Sequence, residues 1–574
     1  MKIIHISFIS CLLTFLFLTN NCFAQSTDYG KPVDVPIRLS ANFGELRRNH
    51  LHSGIDIKMA EYCRSRRTVR STADGYISRI FVSPSGYGRA IYIYHPKKKT
   101  TTVYGHLEKF IDSVDNYTRK KQYKNKSFRV NLYPPANLFK VKKGDVIGIA
   151  GNTGSSSGVH LHYEIRNGAQ EPMNIIEKGI INVKDTLSPT IVSIGVVGID
   201  TVNNFPIFTK LRRFPVSKKA NGEYFVRGDI EIDKPSYFTI EYVDRKNGVH
   251  NSFGIYEIDA LLNDSLFFKV TIDKLNFSTT RFANSFSEYR KNRASKYSVA
   301  RLYRSHNNKL NIYRNIDNRG ILKPSNIPEN SKLNINVFDD CGNKSRVSLN
   351  ISPCHNKNHD HSNDMSENSY CVRWDKSTIL KSVYGELKIP FGAFYDTEML
   401  DFYYIDNPNG YSNKLFVGNI YIPSQKPMKI KVKDISLPEN LRSKALLANV
   451  NKHSGRKRSA GGYWKNGYVN GNIRDNGCYE IVVDTTSPKI IPRLKKGSVI
   501  SGKYFYIKIR DNFSGIAKYN GYIDGKWDIF EFDAKTATLR CKINRSSTRK
   551  KHEVKIIVED WKKNKKHLKT YYYW

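Results

Sequence analysis

The stretch Gly158-Val-His-Leu-His-Tyr-Glu164 carries the pattern that decides the fold around it. Polar and apolar residues alternate here, and side chains two residues apart in a β-strand point to the same face. His160 and His162 therefore face one side of a sheet, about 7 Å apart at the usual rise per residue, and Leu161 and Tyr163 face the other. The pattern predicts a strand with a buried apolar face and two imidazoles on its polar face. One imidazole can bind a metal ion while the other stands beside the metal's open position.

Two clusters upstream supply the other groups that such a metal site needs. The first, His52-Ser-Gly-Ile-Asp56, adds an imidazole and a carboxylate. The second, Tyr104-Gly-His-Leu107, contains His106 after a glycine. Together with His162, His52 and Asp56 make two imidazoles and one carboxylate, a common catalytic zinc set that leaves the fourth position for water. Zinc lowers the pKa of that water and polarises a peptide carbonyl. A neutral histidine is then needed as a general base, and His160 and His106 are available for that role and for stabilising the tetrahedral intermediate.

Each cluster alone is a weak signal. An isolated His-x-His on a strand is more often a pair of surface or core histidines, and His-x-x-x-Asp is commoner still by chance. Their joint occurrence within 111 residues, each among glycines, favours the metal site. Glu164 shares the face of His160 and His162, so it is either a carboxylate that orients one of them or a simple exposed glutamate.

Residues 43–174 resemble the catalytic domain of the lysostaphin-type (LytM-type) zinc endopeptidases, and the resemblance covers roughly a quarter of the chain. The motifs that carry it follow the family's order: His52-Ser-Gly-Ile-Asp56 for HxGxD, Ala73-Asp-Gly75, Gly86-Tyr-Gly88, Tyr104-Gly-His-Leu107, Gly151-Asn-Thr-Gly154, and His160-Leu-His-Tyr-Glu164 for HLHxE.

The resemblance implies a fold, a metal and a set of roles. The fold would be a small, mostly antiparallel β-sheet domain whose groove holds one zinc ion. His52, Asp56 and His162 would be the zinc ligands. His160 would be the general base or proton shuttle, and His106 the partner that stabilises the transition state. The implied activity is that of a zinc metalloendopeptidase, which hydrolyses peptide cross-links of bacterial peptidoglycan with a zinc-activated water.

The sequence departs from the family between His106 and Val141, where residues 112–139 replace a short link. This insertion is rich in Lys, Arg, Asn and Tyr and contains Pro134-Pro135. A loop of this length is either functional or disordered. We predict that it rims the groove and limits which wall peptides enter.

Downstream, the sequence changes to short stretches with a period of two residues. Met428, Ile430 and Val432 alternate with polar residues, which indicates a strand with one buried face. The phrase Asp185-Thr-Leu-Ser-Pro recurs as Asp484-Thr-Thr-Ser-Pro, and each copy marks a joint that leads into a new strand. Repetition of strand and turn at this scale predicts tandem β-sandwich modules of the immunoglobulin-like type. The chain as a whole is predicted to be mostly β.

The predicted division of the chain is a signal peptide at 1–24, a zinc metallopeptidase domain at 25–184, a β-sandwich-like module at 185–352, a polar His-rich linker at 353–370, a β-rich module at 371–484 and a C-terminal immunoglobulin-like module at 485–574. In the linker, His355, His359 and His361 either bind a metal as a His-rich tract or belong to a plain polar linker, and the second interpretation is favoured.

The N-terminal residues predict export. Lys2 precedes an apolar run, and Ala24 offers a small residue for cleavage before Gln25. The run is too short for a comfortable membrane span, and no later segment qualifies as one. We therefore expect the protein in the periplasm or cell envelope, or outside the cell. Export permits disulfides, and Cys354 and Cys371, which flank the linker, are the pair considered for one.

The formal net charge of +41 indicates which partners are electrostatically favoured. A field of this size attracts polyanions, so anionic envelope polymers are considered as partners beside peptidoglycan. An AT-rich genome would enrich Lys, Asn, Ile and Tyr without any such partner, and this explanation has equal weight. Nucleic acid is disfavoured because the chain is exported and has no recognisable binding motif.

Three interpretations of the function remain at this point. The leading one is an active zinc metalloendopeptidase. The second is a catalytically silent protein on the same scaffold, which binds the cell wall or activates an amidase. It is disfavoured because all five positions, His52, Asp56, His106, His160 and His162, are retained. The third takes the β modules as the main functional part of the protein, in adhesion or carbohydrate binding, with the peptidase secondary.

Overall fold

A computed structural model describes residues 28–202, 205–289, 295–354, 367–543 and 550–574. The predicted signal peptide at 1–24 lies outside these residues, as do His355, His359 and His361 of the predicted linker. The fold is mostly β. In the part of the chain that is described, no helix is long and apolar enough to cross a membrane.

The N-terminal domain contains thirteen strands and one helix. They are β1 (Leu39–Ala41), β2 (Leu46–Arg47), β3 (His50–Leu51), β4 (Ile55–Lys58), β5 (Thr68–Arg70), β6 (Gly75–Val82), β7 (Arg89–His95), β8 (Thr100–Gly105), β9 (Leu107–Phe110), α1 (Asp112–Asn125), β10 (Val130–Leu132), β11 (Lys140–Val141), β12 (Val146–Ala150) and β13 (His160–Arg166). The larger sheet has the order β1-β4-β13-β8-β7-β6-β10, with β11 also paired to β6, and a smaller sheet has the order β5-β12-β9.

The apolar face of the larger sheet forms the core of this domain. Leu161 and Tyr163 of β13 are fully buried beside Ile55 and Ile57 of β4, as the alternation in the sequence predicts. The opposite face of the same strands carries the polar side chains. Since β4, β13 and β8 are neighbours in the sheet, the polar residues of three sequence clusters meet on that face.

The insertion at 112–139 is not the loop that the sequence predicts. Its first half is the helix α1, whose buried residues are Val114, Thr118 and Gln122. They are spaced four residues apart on one helical face, but only one of them is apolar. The 3.6-residue period that identifies an amphipathic helix is therefore absent from the hydrophobicity pattern.

The next module joins its strands into one continuous hydrogen-bonded path. Its elements are β14 (Thr190–Val202), β15 (Phe205–Phe208), β16 (Arg212–Lys218), β17 (Tyr224–Ile232), β18 (Ser236–Val243), β19 (Glu257–Leu262), β20 (Ser265–Thr271), α2 (Ala283–Phe286), β21 (Ser298–Arg301), β22 (Tyr313–Ile316), β23 (Ser331–Phe338) and β24 (Lys344–Pro353). The order is β21-β18-β14-β16-β17-β24-β23-β19-β20-β22, with β15 on β14, and β17 and β24 are parallel.

The third module has two sheets around a shared core. Its strands are β25 (Ser369–Val372), β26 (Thr378–Ser382), β27 (Gly385–Ile389), β28 (Glu398–Ile405), β29 (Lys414–Val417), β30 (Met428–Lys433), β31 (Ala445–Val450), β32 (Lys457–Gly461), β33 (Tyr463–Lys465), β34 (Tyr468–Ile473) and β35 (Gly477–Val483). The sheet orders are β25-β28-β29-β35-β31-β32 and β26-β27-β30-β34-β33. Met428, Ile430 and Val432 are buried and alternate with exposed lysines, which confirms the period-two prediction for β30.

The C-terminal module also has two sheets, β36-β37-β41-β40 and β39-β38-β42-β43. Its strands are β36 (Lys489–Pro492), β37 (Tyr504–Arg510), β38 (Ile516–Ile523), β39 (Lys526–Asp528), β40 (Phe530–Asp533), β41 (Thr538–Lys542), β42 (Lys551–Asp560) and β43 (Lys565–Tyr573). Phe505 and Ile507 of one sheet share a buried core with Val554 and Ile556 of the other.

The cysteine pair considered for a disulfide is not bonded. Cys354 and Cys371 are both free thiols. Cys354 follows β24, where its backbone N–H donates to the carbonyl of Ile232, and Cys371 lies within β25. The two cysteines thus lie in different modules, one after β24 and one within β25, so flanking the same linker does not bring them together.

Candidate metal centre

Three side chains from distant parts of the sequence point their donor atoms at one spot. His52 Nε2 lies 3.1 Å from His162 Nδ1 and 3.2 Å from Asp56 Oδ1, and the last two atoms are 2.8 Å apart. All three residues are buried. Ligands at about 2.0–2.1 Å from a tetrahedral zinc ion are about 3.3 Å from one another. The chemistry and spacing of this donor set therefore fit zinc.

Strand register accounts for this convergence. Asp56 of β4 pairs directly with His162 of β13, and on the other side His162 pairs with Gly105 at the end of β8. Directly paired residues project to the same face of a sheet. His106 follows Gly105 and therefore begins at the edge of the same polar patch.

Hydrogen bonds fix the tautomers of both candidate histidine ligands. His52 Nδ1 donates to the backbone carbonyl of Asn42 at 2.8 Å, and His162 Nε2 donates to Glu164 Oε1 at 2.8 Å. Displacement of the proton that His162 Nδ1 shares with Asp56 would let His52 Nε2 and His162 Nδ1 each present a lone pair to a metal ion. Outer partners of this kind orient metal-binding histidines and raise their basicity.

Electrostatics in the pocket keep the carboxylates ionised. Burial alone would raise the pKa of Asp56, but His52 and His162 outweigh it and hold that pKa well below its usual range. Burial would likewise lower the pKa of His162, but its hydrogen bonds to Asp56 and Glu164 raise it to about 9. Asp56 is therefore held as a carboxylate, the form that binds a cation.

Glu164, whose role the sequence leaves undecided, is the centre of a hydrogen-bond network. Its side chain is only 1% exposed, so the alternative of a simple exposed glutamate is wrong. Ser53 Oγ and Tyr87 OH donate to Oε1 at 2.7 and 2.6 Å, and Arg166 Nε donates to Oε2 at 2.7 Å. The sequence predicts no role for Arg166, although Arg166 continues the alternation that begins at His160.

His160 and His106 stand over the open side of the three donors. Their ring centroids are 4.7 Å apart, and His160 Nε2 is 3.5 Å from Asp56 Oδ1. His160 Nδ1 bonds the carbonyl of Gly158 at 2.9 Å, and His106 Nδ1 bonds that of Thr153 at 2.8 Å. Because a carbonyl only accepts, each Nδ1 carries the proton and each Nε2 is a free acceptor.

Both of these histidines are neutral at neutral pH. Burial lowers the pKa of His160, and burial together with the neighbouring His162 and His160 lowers the pKa of His106 to about 3. His106 also has a backbone φ of +60°, a left-handed conformation that costs a non-glycine residue free energy and often occurs at functional sites. The site thus presents two unprotonated imidazole nitrogens next to the candidate metal position.

The C-terminal module contacts the loop that positions His106. Arg89 Nη2 is 2.7 Å from Glu531 Oε1, and both side chains are largely buried. Lys535 Nζ donates to Asn152 Oδ1 at 3.0 Å, next to Thr153, whose carbonyl accepts the bond from His106. No signal in the local sequence predicts this contact, because its two sides are separated by 383 residues.

Curated peptidases share sequence with the N-terminal domain. Over 143 residues it is 34% identical to the DD-carboxypeptidase/endopeptidase Mpg of Neisseria meningitidis serogroup B, covering 24% of this chain and 26% of that relative. It is 28% identical over 152 residues to an uncharacterized metalloprotease of Haemophilus influenzae, covering 25% of this chain and 26% of the relative. Among solved structures, the catalytic domain of lysostaphin from Staphylococcus simulans is 20% identical, with 24% of this chain and 90% of that chain covered and a TM-score of 0.18. The N-terminal domain is of the lysostaphin (M23) type.

The lysostaphin-type domain is only part of the chain, and the matched region is only 26% of the length of each curated relative. A zinc-containing peptidase from Vibrio cholerae is 24% identical, with 26% of this chain and 39% of that chain covered and a TM-score of 0.19. Further along the chain, residues 369–484 match the Zu5-like domain family. This chain therefore combines a lysostaphin-type domain with β-rich modules of a different kind.

Proposed function

We propose that the protein is an exported zinc metalloendopeptidase that hydrolyses peptide cross-links of bacterial peptidoglycan. The observation that supports this most strongly is the convergence of His52 Nε2, Asp56 Oδ1 and His162 Nδ1 within 3.2 Å of one another, below two neutral imidazoles. His52, Asp56 and His162 would hold one zinc ion. When bound, zinc supplies Lewis acidity toward a water molecule and a peptide carbonyl.

His160 is the residue that we assign to proton transfer. Its Nε2 is unprotonated and lies 3.5 Å from Asp56 Oδ1, so it can take a proton from the attacking water and return it to the leaving amine. Its hydrogen bond to the carbonyl of Gly158 holds the ring in that orientation. General acid–base catalysis of this kind contributes about 100-fold to 10,000-fold to the rate.

His106 is the second imidazole next to the candidate metal position. Its Nε2 faces the pocket as an acceptor, because Nδ1 donates to Thr153. His106 would therefore accept a hydrogen bond from the attacking water at Nε2 and hold that water in position, which lowers the barrier to attack.

The proposed substrate and compartment rest on three further observations. A curated relative of the N-terminal domain is named a DD-carboxypeptidase/endopeptidase, which favours the peptide part of peptidoglycan. The N-terminal 24 residues have the pattern of a secretory signal, so we place the protein in the periplasm or cell envelope, or outside the cell. The net charge of +41 favours approach to anionic envelope polymers that accompany the substrate.

Digestion of purified Gram-negative peptidoglycan, with mass analysis of the released fragments, tests this function. The full chain loaded with zinc is expected to convert cross-linked fragments into uncross-linked ones. Treatment with a chelator should abolish the reaction, and His160→Ala should slow it at least about 100-fold. The matched control is His50→Ala, since His50 is exposed and its ring bonds only the carbonyl of Arg48 in its own turn.

One result would exclude the proposed function, and another would exclude the role of His160. One is an unchanged fragment pattern with the zinc-loaded protein, which would favour a catalytically silent wall-binding protein. The other is undiminished cleavage by His160→Ala, which would remove His160 from the reaction. Loss of cleavage in His50→Ala would show that the assay responds to general damage of the domain.

A further inference from the structure

Outside the metal centre, three aspartates converge at the joint between the N-terminal domain and the next module. Asp185 begins the joint, Asp244 follows β18 and Asp339 follows β23. One carboxylate oxygen from each lies within 4.8 Å of the other two. We call these three residues the Asp triad. Asp244 and Asp339 are completely buried, and the side chain of Asp185 is 0% exposed.

The buried carboxylate of Asp244 lacks hydrogen bonds in the part of the chain that the structure describes. Neither of its carboxylate oxygens has a hydrogen-bond partner among the residues that the structure describes. The nearest cation, Lys246 Nζ, is 3.9 Å from Oδ2, too far for a hydrogen bond. That ammonium instead bonds Asp185 at 3.0 Å and Asp340 at 2.5 Å. A buried carboxylate without hydrogen bonds is strongly unfavourable.

The charge around Asp244 is also unbalanced. The Asp triad and Asp340 bring four carboxyl groups together, and Lys246 supplies one ammonium, so full ionisation of the four would leave three negative charges uncompensated. Burial, with Asp339 and Asp340 as negative neighbours, raises the pKa of Asp244 to about 8, although Lys246 opposes it. A divalent cation would offset most of this charge.

We propose that the Asp triad binds one divalent cation, and that the ion is Ca²⁺. Hard cations prefer oxygen ligands, and Ca²⁺ takes carboxylates at about 2.3–2.6 Å in a flexible geometry. Two oxygens on opposite sides of such an ion are at most about 5 Å apart, which the spacing of the Asp triad satisfies. Backbone carbonyls and water would complete the coordination.

A repeat in the sequence builds the same arrangement a second time. The phrase Asp185-Thr-Leu-Ser-Pro recurs as Asp484-Thr-Thr-Ser-Pro, and Asp484 converges with Asp511 and Asp560 in the same way. Each copy has the same bonds: Asn343 Nδ2 donates to Asp339 Oδ2 and to the carbonyl of Asp185, as Asn564 Nδ2 does to Asp560 Oδ2 and to the carbonyl of Asp484. Asp511 Oδ1 likewise has no partner in the described part of the chain. The same three-aspartate cluster therefore occurs at both joints.

The Asp triad is connected to the metal centre by hydrogen bonds. Asp340, which shares Lys246 with the triad, accepts a bond from Asn42 Nδ2 at 2.9 Å. The carbonyl of Asn42 in turn accepts the bond from His52 Nδ1 at 2.8 Å. A cation in the triad would therefore also stabilise the backbone that orients His52.

Calcium titration of the full zinc-loaded chain, by calorimetry and thermal unfolding, tests this proposal. The chain is first freed of other divalent ions. We expect saturable Ca²⁺ binding and a rise in Tm. Asp244→Asn keeps the size of the side chain but removes a ligand charge, so the Ca²⁺ affinity of the Asp triad should fall at least tenfold and the number of tightly bound Ca²⁺ ions should fall by one. Without Ca²⁺, the same variant should have a Tm equal to or above that of the unsubstituted protein, because a buried carboxyl group without hydrogen-bond partners is removed.

Controls separate this site from others on the chain. Asp229→Asn changes an exposed aspartate of the same module and should leave binding and the Tm shift unchanged. Asp511→Asn removes a member of the second cluster and should leave one Ca²⁺ site intact. The proposal is overturned if the unsubstituted chain shows no saturable binding up to millimolar Ca²⁺, or if Asp244→Asn binds the same number of Ca²⁺ ions with the same affinity as the unsubstituted chain. It is also overturned if binding is lost only in Asp511→Asn. If Asp244→Asn does not fold, Asp185→Asn replaces it with the same expected loss.

Discussion

Replacing Glu164 with glutamine separates its role in orienting His162 from a role in filling space. Glutamine has nearly the same shape, but it lacks the charge and presents an amide NH₂ in place of one oxygen. Oε1 accepts bonds from His162, Ser53 and Tyr87, and Oε2 accepts bonds from Arg166. Whichever way the amide is turned, its donor group faces another donor.

The magnitude follows from these contacts. Loss of an outer partner of a metal-binding histidine costs about 10- to 100-fold in metal affinity, which is about 1.4–2.7 kcal/mol. Arg166, whose side chain is 8% exposed, also loses its counter-charge, and breaking a buried ion pair destabilises a protein by about 3–5 kcal/mol. We therefore expect Glu164→Gln to bind zinc 10- to 100-fold more weakly and to unfold at a lower temperature.

Competition with a chromophoric chelator measures the zinc affinity, and calorimetry measures the unfolding. Glu171→Gln is the matched control, because Glu171 lies in the turn after β13 and bonds Asn167, away from the metal centre. Its zinc affinity should equal that of the unsubstituted protein. A Glu164→Gln variant that binds zinc within twofold of the unsubstituted protein would refute the view that Glu164 orients His162.

Four other substitutions have defined outcomes. His160→Ala and His106→Ala should each reduce peptidoglycan cleavage by about 100-fold or more while zinc affinity stays within a few fold, since neither ring supplies one of the three converging donor atoms. Leu161→Ala should lower the free energy of unfolding by about 2–5 kcal/mol, measured by urea denaturation, because Leu161 is fully buried. Burial opposes ionisation of Glu531, but Arg89 outweighs it and lowers the pKa of Glu531 to about 2. The folded state therefore binds fewer protons, and the stability from this ion pair is present above the unfolded pKa of about 4.3 and lost as the pH falls toward 2. Glu531→Gln should flatten the loss of stability between pH 5 and pH 3, and an unchanged slope would contradict the buried ion pair.

Sequence patterns predict the local geometry of the candidate site well. The period of two residues around His160 and His162 places both on one face, and the structure has them there with Leu161 buried on the other. The contact between Asp56 and His162 depends on strand register, which is set by pairing between segments far apart in the sequence. The resemblance to a known family supplies that contact, but the alternation alone does not.

Other parts of the site have no readable signal in the sequence. Asn42 acts through its backbone carbonyl, which every residue possesses, so its side-chain identity does not reveal the role. The sequence predicts a loop where the helix α1 forms, because the buried face of α1 includes Thr118 and Gln122. The contact of Glu531 with Arg89 arises when a separate module packs on the N-terminal domain, and only the three-dimensional structure shows it.

Anomalous diffraction at the zinc absorption edge, from crystals of the zinc-loaded protein, tests the central claim most directly. We predict one strong anomalous peak in the lysostaphin-type domain, about 2.0–2.2 Å from His52 Nε2, Asp56 Oδ1 and His162 Nδ1. A peak bound by other residues, or its absence from crystals soaked in excess zinc, would contradict the account.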